Sequence, residues 1–327
     1  MAENSKIEWC DHTVNFWWGC TKVSPGCLNC YAEKQDAHFH PHLAPKDRFQ
    51  GERALSSHWG PNAPRMLRAQ AGASEAIRFE RQAVAQGRRF RVFTNSMADF
   101  FEDRRDLDGA RVIALETMFL TPHLDWLILT KRPESILALL KRAEQNTDST
   151  GCSDFIRRWL GWGEERPKPP ANVWLGTTAE DQERAMQRTW DIIKVPASVR
   201  FLSCEPLLGP IDLHLEDFWT GYTKLKERLN WVICGGESGP GARPMHPNWA
   251  RGLRDQCEAS GVPFLFKQWG EYFPLGPEDP RFNQNRPMTL PDFPGPEKLR
   301  LVRVGKKTAG RLLDGVEHLA YPEVSHG

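Results

Sequence analysis

Three cysteines in one short stretch, Gly19-Cys20-Thr21-Lys22-Val23-Ser24-Pro25-Gly26-Cys27-Leu28-Asn29-Cys30-Tyr31, carry the most specific chemistry in this chain. Thiolates bind zinc and iron–sulfur clusters. Cys27-x-x-Cys30 has the spacing at which two sulfurs reach one centre, and Pro25-Gly26 turns the segment back so that Cys20 can join them. A closed structural zinc site takes four protein ligands, whereas a cubane cluster on three thiolates leaves one iron open to another ligand. His12, His38, His40 or Cys10 could complete a zinc site, so zinc and a [4Fe–4S] cluster both stay open. Free or buried thiols are the plain alternative, and that is how Cys152 and Cys257 read.

Further polar groups follow short apolar runs. The run 91–94 leads into Asn95, Ser96 and Asp99, 126–129 into Thr130, Lys131 and Arg132, and 173–176 into Thr177, Thr178, Glu180 and Asp181. Likewise 200–202 leads into Ser203 and Glu205, 231–234 into Gly235, Gly236 and Glu237, and 263–266 into Lys267 and Gln268. Helix N-caps would account for Thr177, Thr178, Ser203 and Ser238 one at a time; the whole ring, with Lys131, Glu205, Glu237 and Lys267, reads as a site. The glycines of 235–241 lack a Walker lysine but offer backbone N–H groups to a carboxylate, phosphate or amide, or else allow a tight turn. Glu205 and Glu237 are expected to accept hydrogen bonds from an ammonium or a ribose hydroxyl, and Arg243 and His246 read either as residues just outside that site or as surface. Lys306, Lys307 and Arg311 read as a basic patch on one helix, where Lys307 and Arg311 would share a face able to hold a phosphate backbone, or as a solvated face.

These groups need a scaffold that brings strand ends together. About seven short strands alternating with helical stretches argue for βαβ units and a parallel sheet, hence an α/β fold: a full or partial (β/α) barrel of six or seven strands. In such a barrel the C-terminal strand ends form the functional face. An open doubly wound sheet is the alternative. Residues 12–18 read as a first strand that delivers the cysteine loop, 38–66 as an irregular insertion, and 75–86 as an amphipathic helix. Residues 1–270 are expected to form the barrel, and 271–327 an irregular loop, lying over the barrel mouth, followed by a basic helical segment packed on it.

The 43 basic and 42 acidic residues give a net charge of +1, which excludes a global electrostatic footprint for nucleic acid, so any such contact is local. The start of the chain resembles neither a signal nor a transit peptide, and no run approaches the ~20 apolar residues of a membrane span. A cytoplasmic location without membrane contact is expected, with the eight cysteines as ligands and thiols rather than disulfides.

Over nearly its whole length the chain is similar to the phage-associated three-cysteine-motif family, carried by phages and mobile elements. The likeness rests on 19–27, Cys30-Tyr31-Ala32-Glu33, Asn95-Ser96-Met97, Leu129-Thr130-Lys131-Arg132-Pro133, Ser203-Cys204-Glu205-Pro206-Leu207, 235–245 and Phe266-Lys267-Gln268-Trp269-Gly270. More distantly, a three-cysteine loop after the first strand of a parallel barrel resembles the radical SAM superfamily. That resemblance implies a [4Fe–4S] cluster on Cys20, Cys27 and Cys30 whose open iron chelates S-adenosylmethionine. Asn95 and Ser96 would lie near its methionyl end, Thr177, Ser203 and Glu205 would line its nucleoside, and Gly235, Gly236 and Glu237 would add to the cofactor site. The spacing here is C-x6-C-x2-C against the superfamily's C-x3-C-x2-C, and Asn29 stands where an aromatic usually precedes the last cysteine.

The resemblance implies a radical SAM-type enzyme whose 5'-deoxyadenosyl radical takes a hydrogen from a substrate held under the 271–300 loop, and carriage on mobile elements together with the Lys306-Lys307-Arg311 patch points to a nucleic acid or nucleotide as that substrate. Lys131, Arg132, Arg243, Lys267, Gln268, Lys306, Lys307 and Arg311 are its candidate substrate contacts, and a protein encoded nearby is a candidate partner. The alternative is a non-catalytic zinc- or cluster-stabilised module that binds nucleic acid or a partner protein.

Overall fold

The computed structural model of the chain describes residues 3–40, 58–162, 166–220, 223–275 and 300–324. The chain begins with β1 (His12–Val14), β2 (Trp17–Trp18), α1 (Tyr31–Phe39), β3 (Met66–Leu67), α2 (Ala69–Gln86) and β4 (Phe90–Thr94). It continues through α3 (Asp108–Leu120), β5 (Leu124–Thr130), α4 (Ile136–Asn146), α5 (Thr150–Leu160), β6 (Val173–Thr178), α6 (Gln182–Ile192) and β7 (Val199–Cys204). The short β8 (Phe218–Thr220) and β9 (Thr223–Lys224) follow, then β10 (Trp231–Gly235), α7 (Pro247–Ser260), β11 (Phe264–Gln268), β12 (Tyr272–Leu275), β13 (Arg300–Arg303) and the four-residue α8 (Lys306–Ala309).

One seven-stranded parallel sheet carries the architecture, in the order β1-β4-β5-β6-β7-β10-β11. Helices join β4 to β5 and β5 to β6, as parallel neighbours require. Spatial order follows chain order without the reversal of a doubly wound sheet, so the partial (β/α) barrel is the arrangement found. Thr94 is paired with Ile128 and Thr130 with Thr177, a register that brings the C-terminal ends of β4, β5 and β6 to one edge.

The chain packs as two compact units. The first comprises Met1–Thr178, Gln187–Phe201 and Glu323–Gly327. Its β5, Leu-Asp-Trp-Leu-Ile-Leu-Thr, is buried at every position but Leu129, the pattern of a parallel strand covered on both faces. Trp126 is fully buried, which contributes about 1.5–3 kcal/mol, and its indole N–H donates to Thr121 Oγ1 at 3.0 Å. Phe201 lies directly on Gly176, where a Cβ would stand 2.2 Å from the ring. The second unit comprises Ala179–Met186 and Leu202–Pro322. Trp231, Ile233, Leu265, Phe266 and Leu313 are buried there, and Trp231 Nε1 donates to the Ala320 carbonyl at 2.9 Å.

Several local expectations change. The run 12–18 is two strands, because residues 15 and 16 leave the ladder. Asn15 Oδ1 accepts from Met97 N at 2.8 Å, Phe16 N donates to Asn95 Oδ1 at 2.9 Å, and Phe16 O accepts from Arg68 N at 2.8 Å. β2 pairs antiparallel with β3 instead, so the cysteine loop leaves a small ribbon rather than the main sheet. Thr177, Thr178 and Ser203 lie within strands and cap no helix; Ser149 and His246 do, accepting from Cys152 N and Asn248 N.

The helix expected at 75–86 begins earlier, at Ala69. Of the stretch read as a 271–300 loop, the two ends pair as β12 and β13; residues 276–299 are outside the described residues, as are 41–57 of the irregular insertion. The C-terminal basic helix is only α8, which stops at Gly310 with φ +72, so Arg311 lies beyond it and cannot share a helix face with Lys307.

Candidate functional site

The cysteine loop is built by local constraints. Gly19 has φ +100, and a Cβ there would lie 2.3 Å from the His58 carbonyl, so glycine alone lets the loop leave β2 against that segment. Pro25–Cys27 forms a single 3-10 turn, with Cys27 N bonded to Ser24 O at 2.9 Å and Cys27 Sγ 3.8 Å from Ser24 Oγ. Cys30 then stands at the N-cap of α1. Tyr31, next in sequence, donates its hydroxyl to Ser96 O at 2.6 Å and so ties the start of α1 to the end of β4.

Cys20, Cys27 and Cys30 line one cavity of about 130 Å³ in the first unit. That is about ten times the ~10–15 Å³ that one water needs, room for a polar group of some size. Asn95, Ser96, Asp99, Lys131, Arg132 and Thr178 share the wall. Of the sequence-named residues, Asn95, Ser96, Lys131 and Arg132 therefore meet the three thiols. Thr177 turns away and donates its hydroxyl to Thr130 O at 2.9 Å, while Thr178 beside it faces the cavity.

Burial pushes the Cys20 thiol up to about 12, with the Asp99 carboxylate adding to the rise and the Arg132 guanidinium opposing it. Burial also raises Cys30, against the N–H groups of Glu33 and Ala32 and the charge of Lys131. Such thiols ionise when a cation shares the site, which is the chemistry of a metal centre.

Charge pairs hold the wall in place. Asp99 accepts four hydrogen bonds: from Thr130 Oγ1 at 2.6 Å, Phe101 N at 3.0 Å, Lys131 N at 2.9 Å and Arg132 Nη1 at 2.8 Å. Arg132 also reaches Thr21 O at 2.7 Å and lies 3.7 Å from Cys20 Sγ. Behind it, the fully buried Arg65 guanidinium grips Glu102 with bonds of 2.9 and 2.8 Å and donates to Thr21 Oγ1 at 2.8 Å. Asp99 carried a sequence signal, as part of the polar cluster after an apolar run. Arg65, in a proline-rich stretch without periodicity, carried none.

Two donors at the cavity keep spare hydrogen-bonding capacity. Asn95 is buried with φ +56; its Oδ1 accepts from Phe16 N, and its buried Nδ2 has no hydrogen-bond partner among the described residues. Lys131 Nζ lies 3.4 Å from Thr178 Oγ1 and has no carboxylate in ion-pairing range among the described residues.

In the second unit, Glu205 Oε2 lies 2.7 Å from Lys267 Nζ, and Ser203 Oγ donates to Glu205 Oε1 at 3.2 Å. Glu237 is clasped by Arg243, whose backbone N and Nε each donate to Oε2 at 2.8 Å and whose Nη2 donates to Oε1 at 2.6 Å. Gly236 runs so close to β11 that a Cβ would lie 1.9 Å from Trp269 O. Gln268 Nε2 donates to Gly236 O at 3.4 Å. A Cβ at Gly235 would lie 2.9 Å from Glu205 Oε2. These glycines thus serve close packing at the strand ends. Arg311 pairs with Glu317 at 2.9 Å.

The fold and the cavity define an α/β protein of partial-barrel topology with a three-cysteine centre. The chain belongs to a family described as a protein of unknown function (DUF5131), which it matches over residues 4–322. No curated protein and no solved structure matches it.

Proposed function

We propose that this chain is an iron–sulfur enzyme of radical SAM type, in which Cys20, Cys27 and Cys30 hold a [4Fe–4S] cluster and a nucleotide is the substrate class. The observation that carries this reading is the composition of the cavity wall. Among the described residues it contains three cysteines, no histidine and one carboxylate, Asp99, whose oxygens are already committed to four donors. Three thiols without a fourth ligand suit a cubane with one open iron better than a closed zinc site. His12, considered as a fourth ligand, is stacked on Phe79 at 4.1 Å between centroids, and His40 is bonded to Asp36.

When bound, such a cluster would supply an electron to the sulfonium of S-adenosylmethionine. The chain itself does the holding. Lys131 offers an ammonium and Asn95 an amide N–H to an anionic ligand group in the cavity, and Thr178 offers a hydroxyl. Arg132, fixed by Asp99 and Thr21, positions Cys20.

A nucleotide is favoured over a long nucleic acid because Arg243, Lys267 and Arg311 are each neutralised by a glutamate, and of the three cations at the cavity Lys22 and Arg132 are paired with Glu33 and Asp99, which leaves Lys131 to meet an anion. Among the described residues no helix is long and apolar enough to cross a membrane, and the reading places the protein in the reducing cytoplasm.

The test is metal analysis of the full chain purified without oxygen. About four irons and four sulfides per chain are expected, lost in Cys27→Ala and kept in Cys152→Ala. A colourless chain with zinc that disappears with the cysteines would overturn the cluster and with it the radical chemistry.

A further inference from the structure

The first unit holds a second group of metal-binding side chains, apart from the cysteine cavity. Asp36 lies in α1 and His40 four residues on at its C-cap, so both share one face; His58 comes from the segment before β3. Asp36 Oδ1 is 2.9 Å from His40 Nδ1 and 3.1 Å from His58 Nδ1, and Oδ2 is 2.9 Å from His58 Nδ1. One ligand atom from each of the three lies within 4.8 Å of the others. The Asp36 side chain is wholly buried, and His58 is buried with it.

We propose that Asp36, His40 and His58 bind one divalent transition metal ion of the zinc class, independently of the cysteines. Two imidazoles and a carboxylate are a recognised zinc and non-haem iron donor set, and three protein ligands leave a further position open. Bonds of ~2.0–2.2 Å around a tetrahedral ion put ligand atoms ~3.3–3.6 Å apart, so an ion enters with a small outward shift of the Asp36 carboxylate from each imidazole, now 2.9–3.1 Å away, while all three ligand atoms already lie within 4.8 Å of one another. In its absence the same atoms are satisfied as imidazole N–H donors to a carboxylate.

The placement gives the ion a structural task. Cys30 caps the helix that carries Asp36. The segment that carries His58 holds the other end of the cysteine loop: Gly60 N donates to Cys20 O at 2.9 Å, His58 O accepts from Arg65 Nη1 at 2.9 Å, and Gly19 packs on that same carbonyl. An ion shared by Asp36, His40 and His58 therefore clamps both ends of the loop and uses none of its thiols.

The experiment uses the full chain with Cys20, Cys27 and Cys30 all changed to Ser, stripped with a chelator and titrated with Zn²⁺ or Co²⁺ alone. Uptake of one equivalent per chain is expected, with a rise in Tm and a Co²⁺ spectrum free of thiolate charge transfer. Adding Asp36→Asn or His58→Gln should weaken Zn²⁺ binding by more than about 100-fold, beyond what loss of an outer partner costs.

A folded triple-serine chain that takes up neither ion overturns the site, and so does uptake indifferent to both substitutions. Should the triple variant not fold, the Co²⁺-loaded wild-type chain decides: an oxygen–nitrogen spectrum lost in His58→Gln supports the site, and thiolate charge transfer alone overturns it. Because the cluster is scored by iron and sulfide and this site by zinc without the three loop cysteines, either can fail without the other.

Discussion

Arg132 directs its guanidinium to Asp99, Thr21 O and the Cys20 sulfur, whereas Lys131, one residue earlier, presents its ammonium to the cavity beside Thr178. Their substitutions should separate accordingly. Arg132→Ala leaves the buried Asp99 without its ion-pair partner, and a loss of about 3–5 kcal/mol in urea unfolding is expected. Lys131→Ala should change stability by no more than ~0.5 kcal/mol. It should weaken binding of S-adenosylmethionine or a nucleotide, read by calorimetry, by roughly 10–100-fold, the worth of one hydrogen bond to a charged group. Equal binding by both proteins would remove Lys131 from the site.

At the scale of elements, the cysteine loop is held less by its own turn than by the segment before β3. Arg65→Met should cost ~3–5 kcal/mol, since it leaves the buried Glu102 with no counter-charge closer than Arg132 Nη2 at 3.8 Å among the described residues. The paired change Arg65→Met with Glu102→Leu should recover most of that in the same unfolding assay; a double variant no better than the single would mean that the contacts of Arg65 to Thr21 and the 58–63 carbonyls dominate.

Helix α7 carries a different kind of device. The His246 ring nitrogen Nδ1 accepts from Asn248 N at 3.1 Å, so the cap works only while the imidazole is neutral. Burial, followed by the charge of Arg251, lowers the pKa of His246 from its ordinary 6.5. The unfolded chain therefore takes up the proton first; the cap's contribution is complete above the unfolded value and is lost as pH falls through the lower folded one. His246→Asn, a good cap without that titration, should remove about 1 kcal/mol of this acid-side loss when stability is followed from pH 7 to 5. An unchanged pH profile would show that other groups set it.

For the molecule as a whole, 43 basic residues against 42 acidic leave no field to attract a polyanion, and the cations noticed in the sequence are largely paired. Arg311 is bonded to Glu317, and Lys306 and Lys307 sit on a helix of four residues. The triple variant Lys306→Ala, Lys307→Ala, Arg311→Ala should therefore leave the salt dependence of any DNA binding within about one unit of log–log slope of the parent's. A slope flatter by two or three would restore the patch as a phosphate contact.

How much of this was legible beforehand follows from how local each cause is. Apolar runs of β-branched and aromatic residues marked all seven strands of the main sheet, and their alternation with helices gave the parallel order, because burial on both faces and crossover length are written into contiguous residues. The three cysteines announced by type and spacing that they share one site, as they do in one cavity, and the residues just beyond 94 and 130 announced a shared edge by position. The sequence alone did not show that Asn15 and Phe16 break the first strand, since their partners Met97, Asn95 and Arg68 lie far along the chain. Nor did it show that Glu237 is consumed by Arg243, that α8 stops at four residues, or that Arg65, Asp36 and His58 converge behind the cysteine loop. Those are pairings between distant residues of ordinary type, and they exist only once the folded chain has brought complementary charges and donors within 3 Å in a place where neither can turn back to water.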